Sequence, residues 1–296
     1  MTVCVAAIYA GSSILGASDR MLTSGDDIEF QPEQSKLYPI TKSIVAMISG
    51  DMALQMEIYL ELVKSIHGML EIDSSKWMEV RVVAEEYGRI WGEIRNKRSY
   101  AELLQPLGLD HNSFISRQKE FDPDIARQMT SDLITFSLPN SSVIITGIDE
   151  FCPHIYAAHN GNVTCQDAIG FAAIGIGASQ AQSTFMFNRY AKNSSAAKAL
   201  YLAYAGKKRA EVVAGVGPET DFFVIGPKPG TYDNIHEEMI DEVTKLWTKN
   251  QKTMELNAKK AEDILNAKID NIYRQRSDPV DQKETPKPTE GMSQPK

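Results

Sequence analysis

Cysteine is scarce in this sequence: there are three, Cys4, Cys152 and Cys165, odd in number and far apart. That scarcity excludes a disulfide framework and the paired spacing of a structural zinc site, and it predicts a reducing, cytoplasmic setting. An excess of positive charge is also lacking, because 31 Lys and Arg stand against 39 Asp and Glu, a formal net charge of −8. A nucleic-acid surface needs a basic patch, and no Lys/Arg cluster supplies one. No run approaches the ~18 apolar residues that a membrane span requires. The apolar stretch 3–9 is too short for a signal peptide and has no basic flank, so neither export nor a membrane partner is expected. A phosphate-binding glycine loop is missing as well. "GIGASQ" has two glycines of a dinucleotide turn, but Gln180 stands in the third place and no βαβ unit surrounds it. Cys152 and His154 would share a strand face near His159, yet no fourth ligand has zinc spacing, so these read as hairpin residues and no metal or cofactor is expected.

What the sequence does have is an ordered series of elements. With 296 residues, 43% of them hydrophobic and 24% charged, it can bury a substantial core as one large domain or two smaller ones. "TVCVAAIY" and "SSILGAS" are strand-length apolar runs around a turn at Ala10-Gly11, and "SKLYPI" and "SIVAMIS" repeat the pattern around Thr41-Lys42. Asp51, after Gly50, is placed to cap a helix carrying Leu54, Ile58, Leu62 and Ile66. Val82, Val83, Tyr87, Ile90, Trp91 and Ile94 mark a second helix. Residues 99–138, broken by Pro106 and Pro123, predict a helical insertion or lid. Strands resume with "SSVIITGID" and "HIYAAHNGNVTC". A helix pair over 181–190 and 196–207 follows, the second capped by Ser194 or Ser195, and "TDFFVIG" is the last core strand. The order predicts an α+β fold in which two antiparallel sheets lie between helix layers. Residues 2–228 form this domain, 229–275 predict a C-terminal amphipathic helix after a "PKPG" linker, and the proline-rich segment 276–296 predicts a disordered tail.

The start of the chain carries the chemistry. Met1 precedes a small residue, which normally leads to its removal, so the mature chain is expected to begin at Thr2 with a hydroxyl and a free α-amine. An α-amine with an ordinary pKa of roughly 7.7–8.0 is a suitable base for a hydroxyl nucleophile near neutral pH. On its own, Thr2 equally reads as a β-branched residue opening a strand.

Four features together carry a resemblance. These are Thr2 behind the start methionine, "ASDRMLTSG" with Asp19, Thr23 and Gly25, "SKLYPI" with Lys36, and "VAMISGD" with Gly50. In this order, on these elements, they resemble the proteasome β-subunit and the related bacterial self-compartmentalising peptidases, members of the N-terminal-nucleophile (Ntn) hydrolases. The likeness runs from Thr2 to about Gly226, with 99–138 as an extra. The interval from Lys36 to Gly50 is the family's, and that from Thr2 to Asp19 is one residue longer. The resemblance implies a four-layer αββα sandwich and a peptidase in which the Thr2 hydroxyl attacks an amide carbonyl to give an acyl-enzyme. In that scheme the Thr2 amine is general base, Lys36 a cation that lowers the proton affinity of its neighbours, and Asp19 the partner of Lys36. Gly50 would offer an oxyanion N–H, and the backbone at Thr23 would pair with extended substrate. It further implies a homo-oligomeric ring acting on peptide or protein substrates, with an ATPase or adaptor left open.

The second half departs from that family. Ile176, in "AIGIGASQAQ", stands where many catalytic members carry a serine, and Ser179 replaces it only if the turn is displaced. Val213 and Val216 fall where an Asp and a Ser would hold the threonine amine, and Gly217 alone matches. The alternative is therefore a catalytically silent structural or binding subunit of such an assembly. Asp19→Asn is expected to abolish activity at modest structural cost.

Overall fold

The computed structural model describes residues 2–24, 28–30, 35–72 and 77–277. Strands β1 (Cys4–Tyr9) and β2 (Ser13–Asp19) form a hairpin in register Cys4 to Ser18 and Ile8 to Ile14. Ala10 and Gly11 reverse the chain between them, both with positive φ. A three-residue ribbon pair follows, β3 (Leu22–Ser24) with β4 (Ile28–Phe30). The next sheet is built from β5 (Leu37–Pro39), β6 (Ile44–Gly50), β7 (Ser141–Ile148), β8 (Pro153–His159) and β9 (Asn162–Cys165), neighbours in that order and antiparallel throughout. The hairpin belongs to a second five-stranded antiparallel sheet. Its order is β10 (Phe171–Ile174), β1, β2, β11 (Thr220–Ile225) and β12 (Tyr232–Asn234).

Burial explains why several strands read as unbroken apolar runs rather than alternating ones. Val45 and Met47 of β6 join Cys4, Ala6, Ile8 and Ile14 of the other sheet in one buried cluster, together with Ile144, Ile155 and Ala157. The alternate residues Ile44, Ala46 and Ile48 face a different cluster. There they meet Leu54, Ile58, Leu62 and Ile66 of α1 (Met52–Ile72), and Val80, Val83, Tyr87 and Ile90 of α2 (Val80–Ser99). A strand covered on both faces needs an apolar residue at every position. On the β1–β2 sheet, α6 (Ala196–Ala210) contacts both strands and packs against α5 (Ala178–Phe187). Gly206 lets these helices approach, since a Cβ there would lie 3.1 Å from the Ala181 Cα. Ser195 caps α6 by accepting from the Lys198 N–H at 3.2 Å.

Between α2 and β7 the chain runs through a π-helical turn and short helices including α3 (His111–Arg117) and α4 (Pro123–Thr135), around a small cluster of Leu104, Leu109 and Phe114. The start of the expected C-terminal helix is corrected. Residues 232–234 form β12, an edge strand paired with β11, because Tyr232 stacks on Phe223 at 5.7 Å. Helix α7 begins only at Glu237 and runs to Ser277. Residues to Thr244 form one compact unit and those from Lys245 another. The expected tail lies outside the described residues from 278 onward. Among the described residues no helix is long and apolar enough to cross a membrane.

Candidate active site

Three strand ends bring three of the expected residues together. Thr2 directly precedes β1, Asp19 closes β2, and Lys36 precedes β5 in the opposite sheet, so the group sits where the two sheets meet at one end of their shared cluster. Thr2 and Lys36 are each 2% exposed and Asp19 is fully buried. Charged groups are rarely this buried unless paired, and here every polar side-chain atom of the three has a partner. The Lys36 Nζ donates to Thr2 Oγ1, to the Met21 carbonyl, and to Asp19 Oδ1 at 3.1 Å. The Thr2 hydroxyl donates in turn to Asp19 Oδ1.

Asp19 is held from both sides by backbone. The Val3 N–H donates to Oδ1 at 2.9 Å, while the Met21 and Gly217 N–H groups donate to Oδ2 at 3.0 and 3.1 Å. Beyond it, the Arg20 guanidinium reaches Asp221 Oδ1 at 2.6 Å and Glu219 at 3.1 Å, tying β2 to β11 at the rim. The backbone of Thr2 is fixed as well. Gly177 N–H donates to the Thr2 carbonyl at 3.3 Å. Gly175, with φ +93°, leaves room that a Cβ would fill 2.2 Å from that same oxygen. The glycines of "GIGASQ" thus serve a close backbone approach to Thr2.

The other expected residues stand apart from this trio. Gly50 ends β6 with φ +104°, packed so that a Cβ would meet the Asn140 carbonyl at 2.1 Å. The next residue, Asp51, caps α1 by accepting from the Leu54 N–H at 2.8 Å. Two residues before Gly50, the Ile48 N–H donates to the Lys36 carbonyl at 3.4 Å, so the end of β6 passes beside the site. Thr23 lies on β3 opposite Glu29, with its side chain outside the described residues. Ile176 is 49% exposed, and Ser179 is turned outward with its hydroxyl on Gln180 Oε1 at 2.8 Å, so it does not replace the missing serine. Val213 and Val216 bring no polar group, whereas Gly217 contributes through its N–H. Met21, which both donates to Asp19 and accepts from Lys36, gives no sequence signal because only its backbone acts.

Away from the trio, His154 Nδ1 lies 2.7 Å from Asp167 Oδ2, and its Nε2 lies 3.3 Å from Cys152 Sγ. The Asp167 carboxylate holds this imidazole above its ordinary pKa against the effect of burial. Among the described residues no group of three or more His, Cys, Asp or Glu is placed to hold a metal ion. Cys4 is buried beside Thr2, its thiol directed at the Ile48 carbonyl at 3.6 Å, and burial pushes its pKa up to about 12. Cys152 and Cys165 are exposed. A neutral thiol reagent at mildly alkaline pH is therefore expected to titrate Cys152 and Cys165 in the native protein and Cys4 only after unfolding. Rapid native reaction of Cys4, read by peptide mapping, would contradict this burial. No protein-family model matches the chain, and no curated protein is significantly similar to it.

Proposed function

We propose that the chain is a threonine-nucleophile amide or peptide hydrolase of the N-terminal-nucleophile kind, similar to proteasome β-subunits, with Thr2 as nucleophile once Met1 is removed. In this reading the two sheets and their flanking helices are the αββα sandwich of that class. The observation that carries it is the contact of the buried Lys36 ammonium with Thr2 Oγ1, both braced by Asp19. A cation donating to a hydroxyl oxygen favours the alkoxide character that attack requires.

Removal of Met1 converts the amide nitrogen of Thr2 into an amine. That amine takes the Oγ proton, directly or through a water, as Oγ bonds to the substrate carbonyl carbon. In this scheme the oxyanion of the tetrahedral intermediate is met by an N–H at Gly50, at the turn from β6 into α1. The amine then delivers the proton to the departing nitrogen, leaving an ester on Thr2 that water hydrolyses. Lys36 stabilises negative charge on Oγ throughout, and Asp19 fixes Lys36. No cofactor enters this scheme. The same reading carries a closed ring of copies acting on peptide or protein substrates in a reducing compartment, which suits three free cysteines.

A second reading, a silent subunit of such an assembly, is favoured by the burial of Thr2 and by Ile176, Val213 and Val216 at positions where polar groups would hold the amine. The two are separated by N-terminal sequencing and intact mass of the purified protein, before and after treatment with an epoxyketone or β-lactone probe. The hydrolase reading expects a chain beginning at Thr2 and a single covalent adduct on it. Quantitative retention of Met1, which blocks the amine, overturns it.

A further inference from the structure

We propose that Lys207 is a positioning residue of the Thr2 site: its buried ammonium closes the turn at Pro218 so that the neighbouring Gly217 N–H meets Asp19. The catalytic significance of this clamp rests on the hydrolase reading, but the clamp itself does not. Lys207 lies on α6 with its side chain wholly buried. Its Nζ donates to the Pro218 carbonyl at 2.6 Å and to Glu211 Oε1 at 2.7 Å. One residue before Pro218, the Gly217 N–H donates to Asp19 Oδ2 at 3.1 Å. Asp19 Oδ1 in turn receives Lys36 and Thr2. A continuous hydrogen-bonded path thus runs from α6 through the 217–218 turn to the candidate nucleophile.

A lysine is a costly choice for this position. Its neighbours on the helix, Ala203, Tyr204 and Ala210, are buried, and an apolar side chain there would avoid desolvating a charge. The turn explains the choice. Between α6 and β11 the chain has little apolar anchorage: Val216 is buried, but Val212 is 81% exposed and Gly215 takes φ +86°. The Val213 and Val216 N–H groups bond within the segment, to Ala210 and Val213 carbonyls at 3.0 and 3.2 Å, and so do not fix it to the sheet. Arg20 secures Glu219 and Asp221 only beyond Pro218. Lys207 is the group that reaches from the helix into the turn itself.

The charged groups facing Lys207 are Lys208 on its own helix, Glu211 directly after that helix, and Asp19 on β2. Burial, the largest influence, lowers its pKa to about 8, with Lys208 adding to the fall and Glu211 and Asp19 opposing it. The ammonium is then lost just above neutrality, and with it the charge-assisted hold on Pro218. The sign of the stability effect is opposite. The folded value lies below the ordinary 10.5, so between about pH 8 and 10.5 the unfolded chain binds more protons, and this group's contribution to stability rises with pH. Loosening of the turn above pH 8 therefore does not come from Lys207 unfolding the protein.

The test is hydrogen–deuterium exchange of the full-length chain, followed over peptides containing 213–218 and corrected for intrinsic pH dependence. Lys207→Met is expected to speed exchange of this segment about tenfold at neutral pH, the value of one charge-assisted hydrogen bond, while β1 and β2 peptides change little. Lys207→Arg, which keeps its charge, is expected to restore protection and to keep it at pH 9. In the unaltered chain protection of 213–218 is expected to fall between pH 7 and pH 9, a measurement that stands even if Lys207→Met does not fold. Unchanged exchange in Lys207→Met, or in the unaltered chain across that pH range, overturns the clamp. A second arm follows β-lactone labelling of Thr2. If exchange behaves as expected and labelling declines above pH 8 in the unaltered chain but not in Lys207→Arg, the clamp serves the nucleophile. If exchange behaves but Thr2 never labels, the hydrolase reading fails while the clamp survives.

Discussion

Thr2→Ala is expected to abolish hydrolysis of peptide and amide substrates and all covalent probe labelling, while the protein keeps its fold and most of its thermal stability. The loss of activity should amount to several orders of magnitude, as when the nucleophile of an established catalytic unit is removed. The small structural effect follows from redundancy around the hydroxyl. Without Oγ1, Lys36 still donates to Asp19 at 3.1 Å and to the Met21 carbonyl, and Asp19 keeps three backbone donors. The two hydrogen bonds of Oγ1, one from Lys36 and one to Asp19, are lost among partners that stay satisfied, at a cost of about 2 kcal/mol. In a domain of this size that is a shift in Tm of about 4–8 °C. Thr2→Ser, which keeps both hydroxyl and α-amine, should retain part of the activity. The measurement is turnover of a broad peptide panel alongside adduct mass and thermal melting. Should unaltered protein with a verified free Thr2 neither turn over nor label, and match Thr2→Ala throughout, the silent-subunit reading takes precedence.

Much of the fold was legible because its elements obey simple periods. The four-residue spacing of Leu54, Ile58, Leu62 and Ile66 places α1 on the β5–β9 sheet, and the unbroken apolar run of β6 is what a doubly covered strand requires. Short edge elements were harder to read. β12 is a three-residue strand whose existence depends on a contact between Tyr232 and Phe223, which no local pattern encodes. In the site, side chains with distinctive chemistry could be read and backbone contributions could not. Thr2, Asp19 and Lys36 converge in space, but their bracing comes from the N–H groups of Val3, Met21 and Gly217 and the carbonyl of Met21. A backbone group carries the same signature at every position. Lys207 went unread for a different reason: a lysine in the last turn of a helix is ordinarily a solvated charge that complements the helix dipole.

Asp19→Asn is expected to destabilise the protein strongly as well as silence it, which corrects the expectation that an isosteric change would be structurally mild. Both carboxylate oxygens accept only from donors: Oδ1 from Thr2, Val3 and Lys36, and Oδ2 from Met21 and Gly217. An asparagine must present its amide NH2 on one side or the other, and either way a donor faces donors. The charge balance is lost at the same time, leaving the Lys36 ammonium buried beside a neutral amide. Breaking a buried pair from one side costs about 3–5 kcal/mol. At this chain length the corresponding fall in Tm is about 10 °C. Lys36→Met should behave differently. It leaves Asp19 with three backbone donors and the Thr2 hydroxyl, which is sufficient company for a carboxylate, and it deprives the Met21 carbonyl and Thr2 Oγ1 of a donor, although the Thr2 hydroxyl still donates to Asp19. That costs about 1–3 kcal/mol while removing the cation from Oγ1, so activity should fall as far as in Thr2→Ala. Thermal melts of the two variants, run beside probe labelling, separate these effects. The expected order is Asp19→Asn well below Lys36→Met in Tm, with both silent. Equal or reversed melting temperatures would mean that the pairing of Asp19 with Lys36, and not the backbone amides around it, sets the stability of the site.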